Sequence, residues 1–265
     1  MRMLDERTRR RSIGAAMSAV GLPLLGAVGA VAVWWLAVGI LDVSSFIVPA
    51  PPEVAEAFDR MGGTLVHHFF VTLGETLQGY VIAVVLGLLL GLAIASSRVL
   101  ERILYPNLLA LNAIPKPAVA PLLVIWMGFG PGPKVVMVTL ICFFPIVLAA
   151  ATGLATTPAD QVELARSLDA SWWQAFRKVR LPAAMPQIFI GLKTAMPMAV
   201  IGAVIGELVG ANEGLGAVIN QASAGSDMAL AFAAIVLLGV MAIVLFYALA
   251  GLERLLLPWV RQTTG

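Results

Sequence analysis

Six apolar runs, each long enough to cross a bilayer, dictate what this chain can become. They cover roughly residues 18–41, 70–95, 102–128, 134–156, 186–209 and 229–251. At 1.5 Å per residue, each reaches across about 30 Å of hydrocarbon as a helix. Hydrophobic residues make up 60% of the chain and charged residues only 12%, more apolar surface than a soluble domain can hide. The expected fold is all-α and integral to the membrane, with a basic segment at 1–17 followed by a transmembrane domain over 18–265. Arg9-Arg10-Arg11-Ser12 ahead of the first run could open a secretory or twin-arginine signal. That run is too long for a signal core and five further spans follow, so it is read as an uncleaved first helix.

The position of the charges orients the spans. Arg98, Arg102, Arg166, Arg177, Lys178, Arg180, Arg254 and the basic residues of both termini fall on one side of the alternating topology, whereas only Arg60 and Lys134 fall on the other. Cytoplasmic loops carry the excess of Lys and Arg, so both termini are expected in the cytoplasm.

One span carries an interruption. Ile114-Pro115-Lys116-Pro117 breaks the third, because proline lacks an N–H and clashes with the preceding turn. Broken backbone at that depth needs protein or a water-filled cavity beside it, so a translocation path is expected there. Glu75, Lys116, Lys193 and Glu207 are ionisable residues inside spans. A charge in hydrocarbon costs at least about 2.5 kcal/mol, so each should face a cavity or a partner. Pro115, Lys116, Pro117, Glu207 and Glu75 are therefore the candidate path residues, with Lys116 expected to pair with Glu207 and Lys193 to snorkel toward the headgroups. Small residues recur every four positions at Ala83, Gly87, Gly91 and Ala95, and at Gly202, Gly206 and Gly210. They permit close helix packing, either within the chain or across a dimer seam. The single Cys142 sits in an apolar run and excludes an internal disulfide. Adjacent His67 and His68 do not share a helix face as paired metal ligands do, so interfacial solvation is expected of both.

Residues 157–182 form an island of charge and aromatic side chains between the fourth and fifth spans. Two helices joined by a tight turn are expected. Thr157 caps the first, with Pro158 at its first position and Asp160 three residues after the cap. Ser171 and Gln174 make a capping box for the second, which Leu181-Pro182 closes. Trp172, Phe176 and Val179 fall at i, i+4 and i+7 and form one apolar ridge, while Arg177, Lys178 and Arg180 reach water or lipid phosphates. Such a stretch could lie on the membrane surface or enter a partner's groove.

Glu163, Ala165, Phe176, Leu181 and Pro182 match the coupling-loop pattern of ATP-binding-cassette importer permeases, which this segment resembles. Leu164 departs from that pattern, and Asp169 stands where the family has Gly. Asp is among the few other residues that tolerate φ > 0. The resemblance runs over nearly the whole chain after residue 45. Pro115 to Gly128, Phe144-Pro145 and Gly202 to Gly216 are similar to the nitrate, sulfonate and taurine branch. Lys178 to Lys193 with Gly202 to Gly210 looks more like the subset associated with thiamine-pyrimidine precursors or riboflavin.

The resemblance implies a type I permease of six transmembrane helices in a bacterial inner membrane. Its coupling residues would be Glu163, Ala165, Asp169, Trp172, Phe176, Val179, Leu181 and Pro182. Implied partners are a second permease copy, two cytoplasmic ATPase subunits and an external substrate-binding protein, with lipid around them and no nucleic acid. No GxxxxGK[ST] loop is present, so ATP and Mg are expected on the ATPase subunits and no cofactor on this chain. The cargo would be a small polar or anionic solute. An ion-driven secondary transporter is the rival, although such carriers commonly show matching breaks in repeated halves and only one break is visible. An intramembrane enzyme would need a convergent catalytic set, which is not found.

Overall fold

The computed structural model describes residues 21–22 and 25–259. The basic segment 1–17, the start of the first predicted span and Arg261 lie outside the described residues. Among the described residues ten α-helices follow one another and there are no strands: α1 (Leu25–Ile40), α2 (Pro51–Ser96), α3 (Arg98–Ala113), α4 (Lys116–Met127), α5 (Pro131–Ala155), α6 (Ala159–Ser167), α7 (Trp172–Ala175), α8 (Leu181–Leu208), α9 (Leu215–Ala224) and α10 (Met228–Leu256). Among the described residues four helical runs are long and apolar enough to cross a membrane, and the pair α3 plus α4 makes a fifth if it counts as one span. The described stretch Leu25–Ile40 is an apolar helix.

The chain divides into two compact units. In the first, formed by the described residues up to Gly62 together with Ala222–Ala233, the Trp34 and Phe232 rings stack at 5.9 Å and Arg60 meets Asp227 at 3.4 Å. The second unit, Gly63–Gln221 and Ala234 onward, holds every site considered below.

Within the second unit α5 packs between α2 and α8. A methyl group added at Gly91 of α2 would come 2.5 Å from the Ala150 Cβ, and one at Gly206 of α8 would come 2.9 Å from the Lys134 Cα. Both small-residue stripes are thus spent on packing inside the chain, the close backbone approach that drives helix association where lipid removes the hydrophobic contribution. Val138, Cys142, Ile146, Ala150 and Leu154 carry α5 into the core, where Ala184, Ile188, Ala195, Ala199 and Ala203 of α8 face it. Tyr80 Oη donates to the Leu192 carbonyl at 2.9 Å, tying α2 to α8.

The third span breaks where the prolines predicted it. Ile114 and Pro115 take extended conformations (ψ 126° and 102°), as a residue before proline prefers, and α3 and α4 diverge by 89°. The fifth behaves differently. Leu181-Pro182 does not close a helix, because α7, a π-helical turn at Phe176–Arg180 and α8 form one continuous run. The Leu181 N–H reaches back five residues to the Phe176 carbonyl. That wider turn steps the ladder around Pro182, which has no N–H to donate and would clash with a carbonyl four residues before it.

Candidate functional site

Three ionisable side chains from three helices meet near one end of the second unit. Glu75 of α2 receives the Lys134 ammonium of α5 at 2.7 Å, and both are almost fully buried. Lys134 Nζ also lies 3.4 Å from the Glu213 carbonyl. Glu207 of α8 is 0% exposed. Thr72 donates to its Oε1 at 2.7 Å and the Gly216 N–H donates to its Oε2 at 2.6 Å. A buried carboxylate persists only when so supplied with donors, and its place at the N-terminal end of α9 adds the favourable helix dipole.

The start of α9 explains the glycines of the segment Glu207 to Gly216. Three successive amides are capped by three different side chains: Gly214 N–H by His68 Nδ1 at 2.9 Å, Leu215 N–H by Thr72 Oγ1 at 2.8 Å, and Gly216 N–H by Glu207 Oε2. These are the orphan donors that any helix start must satisfy. Gly214 has φ 107°, and a methyl there would overlap the Glu207 carboxylate, so both the backbone and the space demand glycine. Beside this cluster lies a cavity of about 570 Å³ walled by Phe70, Glu75, Gln78, Phe129, Lys134 and the loop Gly210–Glu213.

Lys116 and Glu207 are not partners. Lys116 Nζ bonds the carbonyl and side-chain oxygens of Asn112, both at 2.5 Å, one turn back across the elbow. Of the predicted path residues, Glu75 lines the 570 Å³ cavity and Glu207 sits in the cluster that ties its loop down, while Lys116 faces a separate, apolar recess with Leu108, Leu140, Phe143 and Phe144. Pro115 and Pro117 shape that elbow without joining the charged cluster. Lys193 does not snorkel either: it meets Glu253 of α10 at 2.6 Å. His68 is more than a solvated interfacial residue, since it caps Gly214.

Lys134 is the residue the hydropathy reading misplaced, in an outer loop. The signal was present in Gly130-Pro131, a helix start with proline at its first positions, which puts Lys134 in the first turn of α5. For Thr72 and His68 no local pattern foretold a role, because their partners lie 143 and 146 residues away.

The predicted coupling segment lies elsewhere in the same unit. Ser171 and Gln174 form the expected capping box, at 3.3 and 2.8 Å. Asp169 has φ 54°, the left-handed turn expected of it, and the Ala170 N–H closes on the Ala165 carbonyl at 3.0 Å in a Schellman-type C-cap. Thr157 does not cap α6. Its hydroxyl bonds the Leu154 carbonyl at 3.3 Å and the helix begins at Ala159.

The apolar ridge is also distributed differently from the expectation. Phe176 is buried against its own chain, Val179 is half-buried, and Trp172 and Trp173 are 60% and 59% exposed. The three rings stack, Trp172 on Phe176 at 5.5 Å and Trp173 on Phe176 at 5.6 Å. Phe176 thus anchors a pair of outward-facing indoles. Between α6 and the second helix runs a groove of about 490 Å³ with Leu164, Ala165, Leu168, Gln174 and Val179 in its walls. Glu163 is exposed at α6, and Leu181 and Pro182 open α8.

Long apolar helices, a broken span, a buried ion pair and an exposed aromatic loop define a multi-pass helical membrane protein. The chain belongs to the family of binding-protein-dependent transport system inner membrane components, whose model matches residues 83–262. It is 39% identical over 229 residues to the riboflavin transport system permease protein RibX of Chloroflexus aurantiacus, covering 85% of each chain. It is 32% identical over 237 residues to the putative aliphatic sulfonates transport permease protein SsuC of Bacillus subtilis, covering 89% of this chain and 86% of that one. The fold is shared with a chain of the inward-facing MetNI methionine ABC transporter, with TM-score 0.65 and 23% identity over 74% of this chain and 97% of that one. It is thus the permease subunit of an ATP-binding-cassette importer, with the type I fold.

Proposed function

We propose that two copies of this chain form the membrane path of the importer, that two ATPase subunits dock on residues 157–182 from the cytoplasm, and that an external binding protein delivers the solute. The cargo is a small polar or anionic solute, sulfonate-like or riboflavin- and pyrimidine-like, as the names of the relatives suggest. ATP binding closes the ATPase pair, and the α6–α7 loop passes that motion to α8, to which it is joined without a break. The single observation that carries this reading is the exposed Trp172 and Trp173 pair beside an open, mostly apolar groove with Lys178 in its wall. Exposed indoles mounted on a buried anchor are what a partner's pocket takes up. Trp172→Ala with Trp173→Ala should leave membrane insertion intact and lower ATPase retention and uptake by about tenfold or more, the scale of a lost aromatic hot spot. Normal co-purification with normal uptake would overturn the docking assignment.

A further inference from the structure

Of the three side chains that cap the start of α9, one can be switched off by a proton within the physiological range. The Gly214 N–H donates to Nδ1 of His68 at 2.9 Å, and an imidazole nitrogen accepts only while it is unprotonated. His68 is therefore neutral in this arrangement, with its proton on Nε2. Gly214 ends the loop whose residues Gly210–Glu213 wall the 570 Å³ cavity. Its left-handed backbone abuts the Glu207 carboxylate. Adding a proton to Nδ1 would set two donors face to face and orphan a backbone amide.

We propose that His68 is a positioning residue that latches the 209–213 loop beside the cavity at neutral pH and releases it on protonation, making the external end of the permease responsive to the acidity outside. This rests on the orientation that places Lys134 and the α9 end outward. Thr72 does not titrate in this range. The charged and titratable groups around the latch are His67 and Glu75 of α2, Lys134 of α5, Glu207 of α8 and Glu213 of the loop itself. His67 works in the opposite sense. Its Nε2 lies 3.8 Å from the Glu213 carboxylate, so protonating it draws the loop inward. The net response is the difference between two adjacent histidines, one losing a part-buried hydrogen bond to a backbone amide and one gaining an exposed ion pair, and the orphaned amide is the larger effect.

The test is hydrogen exchange, by mass spectrometry, of peptides spanning 209–218 in the full chain in lipid nanodiscs, expressed as protection relative to an unstructured peptide at the same pH. Protection should fall about tenfold between about pH 7.5 and about pH 5, the effect of one hydrogen bond, with the fall lying below the ordinary imidazole range because partial burial, and then the neighbouring His67, lower the His68 pKa. His68→Asn, whose Oδ1 accepts without titrating, should abolish the fall and leave protection flat or slightly rising toward low pH through His67, and His67→Asn should keep or enlarge the fall. A flat profile in the wild-type chain overturns the proposal. So does a fall that persists in His68→Asn, which would assign the titration to Glu75, Glu207 or Glu213. Orientation is read separately, by labelling Asn212→Cys in a Cys142→Ala background with a membrane-impermeant thiol reagent. Labelling from outside intact cells supports external sensing. Labelling only after the cells are opened overturns the outward orientation while leaving the exchange result to judge the latch itself.

Discussion

The two polar regions of the second unit solve opposite problems. Around Glu75, Lys134 and Glu207 the charges are buried, with donors from α2 and α9 on Glu207 and Lys134 of α5 on Glu75 Oε1, while Glu75 Oε2 has no partner among the described residues. In the 157–182 segment the apolar side chains stand in the open, with Leu164, Leu168, Trp172 and Trp173 all largely exposed. A buried charge met by its own chain is scaffold, because its free energy depends on neighbours already present. An apolar face that its own chain leaves open needs something else to cover it. Intramembrane charge alone is therefore a weak guide to the solute path, and exposed aromatic surface is the better guide to partners.

The strongest challenge to this contrast is Gly214→Ala. Overlap with the Glu207 carboxylate and a backbone at φ 107° should together destabilise the fold by about 3 kcal/mol or more, seen as a collapse in the yield of monodisperse protein. A well-folded variant would show the cluster to be loose.

Next in size is Lys134→Met, which strands the Glu75 carboxylate and should cost about 3–5 kcal/mol in thermal unfolding. Glu75→Gln in addition should recover more than half of that loss in a double-mutant cycle. Additive losses would break the pairing.

At the open region Asp169→Val should cost about 1–2 kcal/mol, since a β-branched residue resists the left-handed turn, whereas Asp169→Gly should be neutral or slightly stabilising. Equal stability and uptake in the two variants would remove the turn from the account.

The smallest effect is expected at Lys193 and Glu253, a half-buried pair at 2.6 Å. Lys193→Met should change stability by about 1 kcal/mol or less, because water still screens the pair. A loss as large as that of Lys134→Met would erase the distinction between buried and partly exposed pairs.

Local features were the legible ones. The elbow at Pro115 and Pro117, the capping box at Ser171, the left-handed turn at Asp169 and the close helix packing at the glycine stripes all follow from a few adjacent residues or from one helical period, although the stripes did not say whether the partner helix was the chain's own. Errors came where a local rule met a long-range partner. Lys116 and Glu207 were matched by depth along the spans, yet depth says nothing about rotation about the helix axis, and each found a different neighbour. Leu181-Pro182 reads as a stop only if the turn before it is α-helical, and a π turn removes the conflict. The ridge of Trp172, Phe176 and Val179 was read from spacing alone, which does not reveal which of its members faces the chain's own core.

By itself the sequence determined that this is a helical membrane permease, roughly where four of its long helices run and where the third predicted span must bend, since hydropathy, proline and capping chemistry act within a few residues of themselves. Only the tertiary structure decided that Lys134 belongs to Glu75, that Thr72, His68 and Glu207 together start α9, and that Phe176 points inward while the tryptophans point out. These outcomes depend on how α2, α5 and α8 rotate against one another, and that rotation is set by the close packing of small residues along all three helices at once, a condition no single stretch of sequence contains.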